Sequence, residues 1–424
     1  MSGNALDHPL PAGMRDLLPE ETIARKAIAR AFLGRAELYG YETVTPPVFE
    51  YAETIERGLG TLDPREIVRF VEPETGEVVA LRPDVTPQIA RLVATRLSSR
   101  PPPYRLAYDA SVLRRRAGSR ARTHRQIPQL GVELVGAHGP EGDLELLLLA
   151  ATSLQQMGLT AFTLDLGHAE IARVLLADVD EATRPMLAEA LAAKDSARVE
   201  RLTSSLPAPL AAALRALPTQ HGAPTLFDRL SPALASSAAS GAIASLRALV
   251  QRLQAALQNA GVTAATVAID LGEVRGHAYY TGPFFQLFAE GPGVPIGGGG
   301  RYDGLLARFG RALPATGLAL DVDALGWALK VAGAELLRVP KRFVVIEGEH
   351  AVAMAARLRD AGIPATILPE AEAGAYARAW GYEGVLRAEP SAIDAVLDGA
   401  ALARSATAVA GPGAQVYLRS GEKE

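Results

Sequence analysis

The sequence contains no cysteine. That excludes disulfides, thiolate nucleophiles and cysteine-ligated zinc or iron–sulfur centres. A reducing compartment is compatible with the absence but not required by it. No long apolar run is present either. The greasiest stretch, Leu146–Ala151, is far shorter than the ~20 residues needed to cross a bilayer. No basic segment followed by an apolar one opens the chain, so no secretory signal is expected and the reading is a cytoplasmic protein with no membrane contact. Excess positive charge is also missing. A formal net charge of −4 argues against a general nucleic-acid binder, which normally carries a clear basic surplus. His-Glu-x-x-His and Gly-x-Ser-x-Gly do not occur, and the seven histidines are scattered without zinc spacing. No metal site and no cofactor are expected.

What is there is enough for two or three domains: 424 residues, 49% of them hydrophobic. Apolar residues recur at helical spacing over 20–39, 86–97 and 144–157, and Leu320–Leu329 reads as a late helix. Residues 41–49 look extended around the rigid Pro46-Pro47 pair. Glu66–Val71 and Val78–Leu81 flank Glu72–Gly76 as a plausible hairpin. Strands are expected at 104–113, 130–136, 265–270 and 279–288. Between about 168 and 262 the chain is rich in Ala, Leu and Arg and reads as a separate helical insertion, broken near Pro207, Pro218, Pro224 and Pro232. After a composition shift at Leu337–Lys341, residues 343–368 alternate strand, helix, strand, the pattern of a small α/β domain over 340–424. The larger part, 1–336, is expected to be α+β around an antiparallel sheet.

Four constellations carry chemistry. In Leu81-Arg-Pro-Asp-Val-Thr-Pro87, Asp84 and Thr86 could accept hydrogen bonds from an ammonium group, or simply cap the next helix. Arg114, Arg115, Arg116, Arg120, Arg122 and Arg125 form a cluster that could cradle oxyanions, or a solvated loop. In Gln129-Leu-Gly-Val-Glu133, strand alternation puts Gln129, Gly131 and Glu133 on one face, with the glycine as a floor for a small ligand, unless that face is simply exposed. The fourth stretch holds Arg275, Tyr279 and Tyr280, followed by Gly297–Gly300, Arg301 and Asp303. It could grip a small zwitterion. Its glycine run lacks the phosphate-loop pattern and the dinucleotide context, and reads on its own as a turn between antiparallel strands.

Six segments in one order carry a resemblance: Gly13–Pro19, Pro47–Glu50, Leu81–Thr86, Gln129–Glu133, Val274–Tyr280 and Gly299–Gly304. Over roughly 10–330 they resemble the catalytic domain of histidyl-tRNA synthetases. The resemblance implies a class II aminoacyl-tRNA synthetase-like core, an antiparallel sheet flanked by helices, forming a homodimer through the segment around Pro47. It also implies a pocket for L-histidine. Asp84, Thr86 and Gln129 match the residues holding the α-amino group. Glu133 and Tyr280 match those on the imidazole, with Tyr279 adjoining, and Arg275 matches the arginine near the carboxylate.

The departures are equally specific. The synthetase Phe-Arg-x-Glu loop aligns its arginine with Arg115 and its glutamate with Ala117, or with Arg114 and Arg116 after a one-residue shift. Either way the acid is missing. Ala278 stands where the synthetase motif has aspartate, and His277 where it has leucine. From residue 341 onward there are 9 Lys/Arg against 11 Asp/Glu, the wrong balance for a tRNA-binding surface. This combination resembles the regulatory subunits of ATP phosphoribosyltransferase, synthetase paralogues. The resemblance implies a chain with no catalytic residues and no tRNA. It would assemble with a short-form catalytic subunit for the first step of histidine biosynthesis and confer feedback inhibition by histidine. Arg115, Arg125 and Arg301 remain candidates for binding anions. The alternatives are a divergent histidyl-tRNA synthetase and a histidine-binding module for another partner.

Overall fold

A computed structural model of the chain describes residues 10–59, 67–114, 124–274, 280–337 and 341–388. The chain divides into two compact units, Met1–Leu337 and Arg338–Glu424.

The first unit opens with helix α1 (Pro19–Leu38), short strands β1 (Glu42–Thr43) and β2 (Phe49–Tyr51), and helix α2 (Ala52–Leu59). Strands β3 (Arg69–Val71) and β4 (Val78–Leu81) form the expected hairpin, and β2 joins it in the order β2-β4-β3. The turn is local chemistry. The Glu72 carboxylate accepts from the backbone of Glu74 and Thr75 and from the Thr75 hydroxyl, while Gly76 supplies a φ of 73°. Helix α3 (Thr86–Thr95) precedes two long strands, β5 (Tyr104–Leu113) and β6 (Gln126–Val135). Helix α4 (Pro140–Met157) starts at a proline in its first turn and stops at Gly158, whose φ of 107° ends the helix.

After β7 (Phe162–His168) come α5 (Ala169–Ala177), α6 (Thr183–Ala192), α7 (Ser196–Leu202) and α8 (Ala208–Ala216). A two-residue strand β8 (His221–Gly222), the short α9 (Pro232–Ala235) and the long α10 (Ser240–Asn259) complete the insertion. Then follow β9 (Ala265–Asp270), β10 (Pro283–Phe288), β11 (Gly297–Arg301), β12 (Ala315–Asp321) and α11 (Val322–Val331).

The main sheet has nine strands in the order β1-β5-β6-β12-β11-β10-β7-β9-β8. Every central pairing is antiparallel. Only β1 with β5 and β7 with β9 run parallel, so the sheet is mixed rather than purely antiparallel. One face carries a continuous core shared with α1, α4, α10 and α11. Leu130, Val132 and Leu134 point into it. Buried residues of the insertion, among them Ile171, Leu187, Val199, Leu214 and Leu246, lie in that same core. The insertion's packing is therefore continuous with the core of the sheet. Its helices α5 to α9 bury apolar residues against one another, and α10 carries that packing on into the sheet's core. The opposite face of the sheet packs against α3 through Val85, Ile89 and Val93.

Two sequence expectations change here. Gly297–Arg301 is a central strand, not a turn. Glycine suits it because the neighbours close in on both sides. A Cβ on Gly299 would lie 2.0 Å from the Gly317 carbonyl oxygen, and one on Gly297 2.6 Å from a Leu320 methyl. Leu320 and Asp321 end strand β12, and the helix begins at Val322. Asp321 caps it, its carboxylate accepting from Asp323 N and Ala324 N, each at 3.1 Å. The run Thr316–Leu320 is almost wholly buried, so it lacks the alternation that marks a half-exposed strand.

The second unit is a parallel sheet in the order β14-β13-β15, built from β13 (Phe343–Ile346), β14 (Ala365–Leu368) and β15 (Gly384–Arg387). Helix α12 (Ala351–Asp360) covers one face and α13 (Glu370–Ala379) the other. All four residues of β13 are buried, as expected of a strand covered on both sides. Among the described residues no helix is long and apolar enough to cross a membrane.

The glycine packing makes a testable contrast. Gly299→Ala meets a backbone carbonyl that cannot rotate away, and should cost about 2–3 kcal/mol. Gly34→Ala sits inside α1 with nothing within 4 Å of the added carbon, and should stabilise by about 0.5–1 kcal/mol. Urea denaturation of the two variants reads both signs.

Candidate functional site

Strand β6 places Gln129, Gly131 and Glu133 on the sheet face opposite the main core, since Leu130, Val132 and Leu134 take the other side. Helix α3 approaches that face and brings Asp84 and Thr86 with it. Strands β10, β11 and β12 extend the floor with Gln286, Gly297–Gly299 and Gly317. Together with Tyr280 and Tyr302 they enclose a cavity of about 220 Å³. Among the described residues, Asp84, Thr86, Gln129, Glu133 and Tyr280 all line it.

Glu133 is the centre of the site and is 1% exposed. The Thr86 hydroxyl donates to its Oε1 at 2.6 Å, and the Tyr302 hydroxyl donates to its Oε2. Burial pushes the Glu133 carboxyl up to about 8, against the two hydroxyl donors that favour its ionised form; the nearby Asp84 raises it further. Close packing depends on Gly317, which pairs with Glu133 across the β6–β12 ladder. A Cβ there would lie 1.8 Å from Glu133 Oε2.

Neither Asp84 nor Thr86 caps α3. The cap position is Val85, which has no side-chain bond, and Thr86 is already the first helical residue. The Thr86 hydroxyl turns to Glu133 instead, and Asp84 Oδ1 accepts from Val85 N at 2.8 Å. The ground beneath them is held by Arg82, whose guanidinium donates to the carbonyls of Pro46, Pro47 and Ser111. Gln88 donates to the Pro47 carbonyl at 2.9 Å.

Gly131 plays a different part from the one its sequence implied. A Cβ there would lie 2.2 Å from the Tyr108 ring, its register partner on β5. The space that glycine opens is filled by Tyr108, not left for a ligand. Tyr108 is fully buried, with its hydroxyl beside Thr86, Glu133 and Asp84. Burial, with Glu133 and Asp84 nearby, drives that hydroxyl's ionisation well up. Gln129 Oε1 is buried without a described partner. Gln129 lines the cavity, and its side-chain oxygen is an acceptor on that wall.

The arginine candidates separate. Arg275, Tyr279 and Arg115 lie outside the described residues. Arg125 is used locally: its Nε donates to the Arg114 carbonyl at 3.2 Å, and its own backbone N–H to Gly13 at 2.9 Å. Arg301 turns away from the cavity. Its three nitrogens donate to Asp143 at 2.9 Å, Asp303 at 3.2 Å and the Gly139 carbonyl at 2.7 Å. A buried guanidinium with two carboxylate partners is already satisfied inside the protein, so Arg301 does not present itself to an external anion. Among the described residues, the arginine that lines the cavity is Arg114.

Sequence reading missed Tyr108, Tyr302 and Asp321. Tyr302 was visible in the Gly-Gly-Arg-Tyr-Asp-Gly segment but hidden by reading that segment as a turn. Tyr108 carries no local signal; only its position opposite a glycine would have marked it. Asp321 adds a further acid. Among the described lining residues Asp84, Glu133 and Asp321 face one cation, Arg114. No group of three or more His, Asp or Glu among the described residues is placed to hold a metal ion.

The family model for histidyl-tRNA synthetase matches residues 13–325. The ATP phosphoribosyltransferase regulatory subunit of Anaeromyxobacter dehalogenans (strain 2CP-1) is 40% identical over 338 residues, covering 77% of this chain and 92% of that protein. The protein of the same name from Symbiobacterium thermophilum is 38% identical over 400 residues, covering 89% and 96%. A solved structure described as an ATP phosphoribosyltransferase regulatory subunit/histidyl-tRNA synthetase, from Bacillus halodurans, matches with a TM-score of 0.76 at 28% identity, covering 90% of this chain and 98% of that one. Histidyl-tRNA synthetase from Nostoc sp. PCC 7120 matches with a TM-score of 0.72 at 19% identity, covering 92% and 93%, and shares the fold. With a class II synthetase-like fold, a glycine-floored cavity around Glu133 and these relatives, the chain belongs to the ATP phosphoribosyltransferase regulatory subunits, within the histidyl-tRNA synthetase-like family.

Proposed function

We propose that this chain is a regulatory subunit without catalytic activity of its own, that it assembles with a short ATP phosphoribosyltransferase catalytic subunit in the cytoplasm, and that its cavity binds L-histidine as the feedback signal. The observation that carries the reading is the cavity's charge. Its described lining is rich in acid around a buried carboxyl. Such a lining favours an ammonium group and an imidazole and disfavours a polyphosphate. About 220 Å³ suits an amino acid better than a nucleotide. In the sequence, the acid expected beside the arginine loop is missing and Ala278 stands where the synthetase motif has aspartate. Recognition without activation is what a sensor requires.

In this reading Asp84, Thr86 and Gln129 take the α-amino group, Glu133 and Tyr280 the imidazole, with Tyr279 beside it, and Arg275 the carboxylate. Opposite charges then hold both ends of the zwitterion. Histidine acts by binding one state of the complex better than the other, and the coupling is reciprocal. A homodimer through the Pro47 region fits an exposed apolar surface there: Val48, Phe49, Tyr51, Phe70, Val71 and Val78 are all exposed, and the Phe49 and Phe70 rings pack edge to face at 5.4 Å. tRNA is not a partner in this reading.

The complex with the catalytic subunit should transfer phosphoribosyl groups only when this chain is present, and slow when histidine is added. Activity indifferent to histidine removes the feedback role. ATP–pyrophosphate exchange by this chain alone would instead establish a divergent synthetase. For the dimer, Phe70→Glu should convert the chain to a monomer in sedimentation velocity; an unaltered dimer places the contact elsewhere.

Glu133 makes histidine affinity depend on pH in a definite way. Below about 8 the empty site's carboxyl is protonated; above about 6.5 free imidazole is not. A bound pair sharing one proton therefore forms without net proton change between those values. Above about 8 binding takes up a proton and affinity falls up to ~10-fold per pH unit; below about 6.5 binding releases one and affinity falls as pH falls. Glu133→Gln should weaken histidine binding by ~10-fold or more, as expected for a lost charge-assisted bond, and make the decline above about pH 8 shallower, leaving only the part due to the ligand's own α-ammonium. Calorimetry across pH reads both. Unchanged affinity would remove Glu133 from the pocket.

A further inference from the structure

Tyr302 reaches Glu133 from between two charged neighbours, Arg301 and Asp303, which both turn elsewhere. Arg301 is 8% exposed. Its guanidinium spans Asp143 and the Gly139 carbonyl at the start of α4, and Asp303 on its own segment. Asp303 is engaged three ways: its Oδ1 also accepts from Ala315 N at 3.0 Å, and its N–H donates to the Thr281 hydroxyl at 2.9 Å. The Arg301 carbonyl accepts from Thr281 N at 2.8 Å, and Tyr302 N donates to the Ala315 carbonyl at 2.7 Å. Gly282 lies so close that a Cβ there would be 3.0 Å from Arg301 Cδ. The backbone on both sides of Tyr302 is thus clasped. The same clasp takes hold of Thr281, the residue after cavity-lining Tyr280.

We propose that Arg301 is the positioning residue of the cavity: through Asp143, Gly139 and Asp303 it sets Tyr302 against the Glu133 carboxyl, and through Thr281 it holds the segment that carries cavity-lining Tyr280. A lysine cannot replace it, because one ammonium on a flexible stem does not span three acceptors in a fixed plane. The proposal rests on the histidine-site reading only for its ligand arm. The groups that face Glu133 are Asp84 ahead of α3, Thr86 on α3, Tyr108 on β5 and Tyr302 after β11. Loosening Tyr302 removes one donor to the carboxylate, so Glu133 should hold its proton to still higher pH.

Two measurements separate this from a merely structural ion pair. The first uses the ligand-free chain. The unfolding free energies of wild type and Glu133→Gln are compared from pH about 5 to about 10. A carboxyl raised by the fold contributes stability that is fully present below its unfolded value and is lost progressively as pH rises to its folded value, where the loss levels off; the variant lacks that loss. Repeating the comparison in Arg301→Lys should move the point where the loss levels off upward in pH. The second is a histidine-binding cycle on wild type, Arg301→Lys, Glu133→Gln and the double variant. Arg301→Lys should weaken binding ~10-fold alone and less than ~2-fold in the Glu133→Gln background. Additive losses, or a lower melting temperature with unmoved Glu133 titration, would overturn the proposal. If Arg301→Lys does not fold, Asp303→Asn carries the same comparisons. If wild type binds no histidine, the ligand reading fails, while the ligand-free titration still decides the positioning role.

Discussion

A carboxyl group taken out of water with no described cation beside it is the constraint around which this site is built. Glu133 is buried on the floor of a nine-stranded sheet, and its described hydrogen-bond partners are hydroxyls. Burying an ionised carboxylate this way costs several kcal/mol. Burial accordingly pushes the group's ionisation up. The carboxyl is thereby poised to ionise when a guest supplies a cation or accepts its proton. An imidazole can do either.

Keeping that carboxyl in place requires backbone without side chains. Gly317 opposite it, Gly131 one pairing unit along the same face and the Gly297–Gly299 strand beyond are all positions where a Cβ would collide with a neighbour. The glycines do different jobs. Gly317 admits the carboxylate itself, Gly131 admits the Tyr108 ring, and Gly299 lets β11 and β12 close on each other. A strand of glycines has little intrinsic preference to be a strand. It is one here because β10 and β12 hold it on both edges.

Membership of the family then gives this geometry its meaning. The fold is shared with histidyl-tRNA synthetases, and in this chain the glycine-floored face of the sheet carries a cavity whose described lining holds Asp84, Glu133 and Asp321. The helical insertion, packed into the core of the sheet it interrupts, belongs to the same folding unit as the site.

Much of this was legible in the sequence. Strands 104–113 and 265–270 fall where the sequence led us to expect them, because each element's pattern is set by its own residues. Alternation correctly placed Gln129, Gly131 and Glu133 on one face, since period two is a property of the extended chain. Six short segments in order carried the family. What sequence did not settle is who meets whom. Thr86 had a local use as a cap and was taken instead by Glu133, 47 residues away. Arg301 had the chemistry of an anion site and was taken by Asp143, 158 residues away. Tyr302 and Glu133 are separated by 169 residues. Local patterns determine elements because their energies depend on neighbours in the chain. Only the tertiary structure decided the partners, because a hydroxyl or a guanidinium is equally competent toward any acceptor and burial chooses which one it finds.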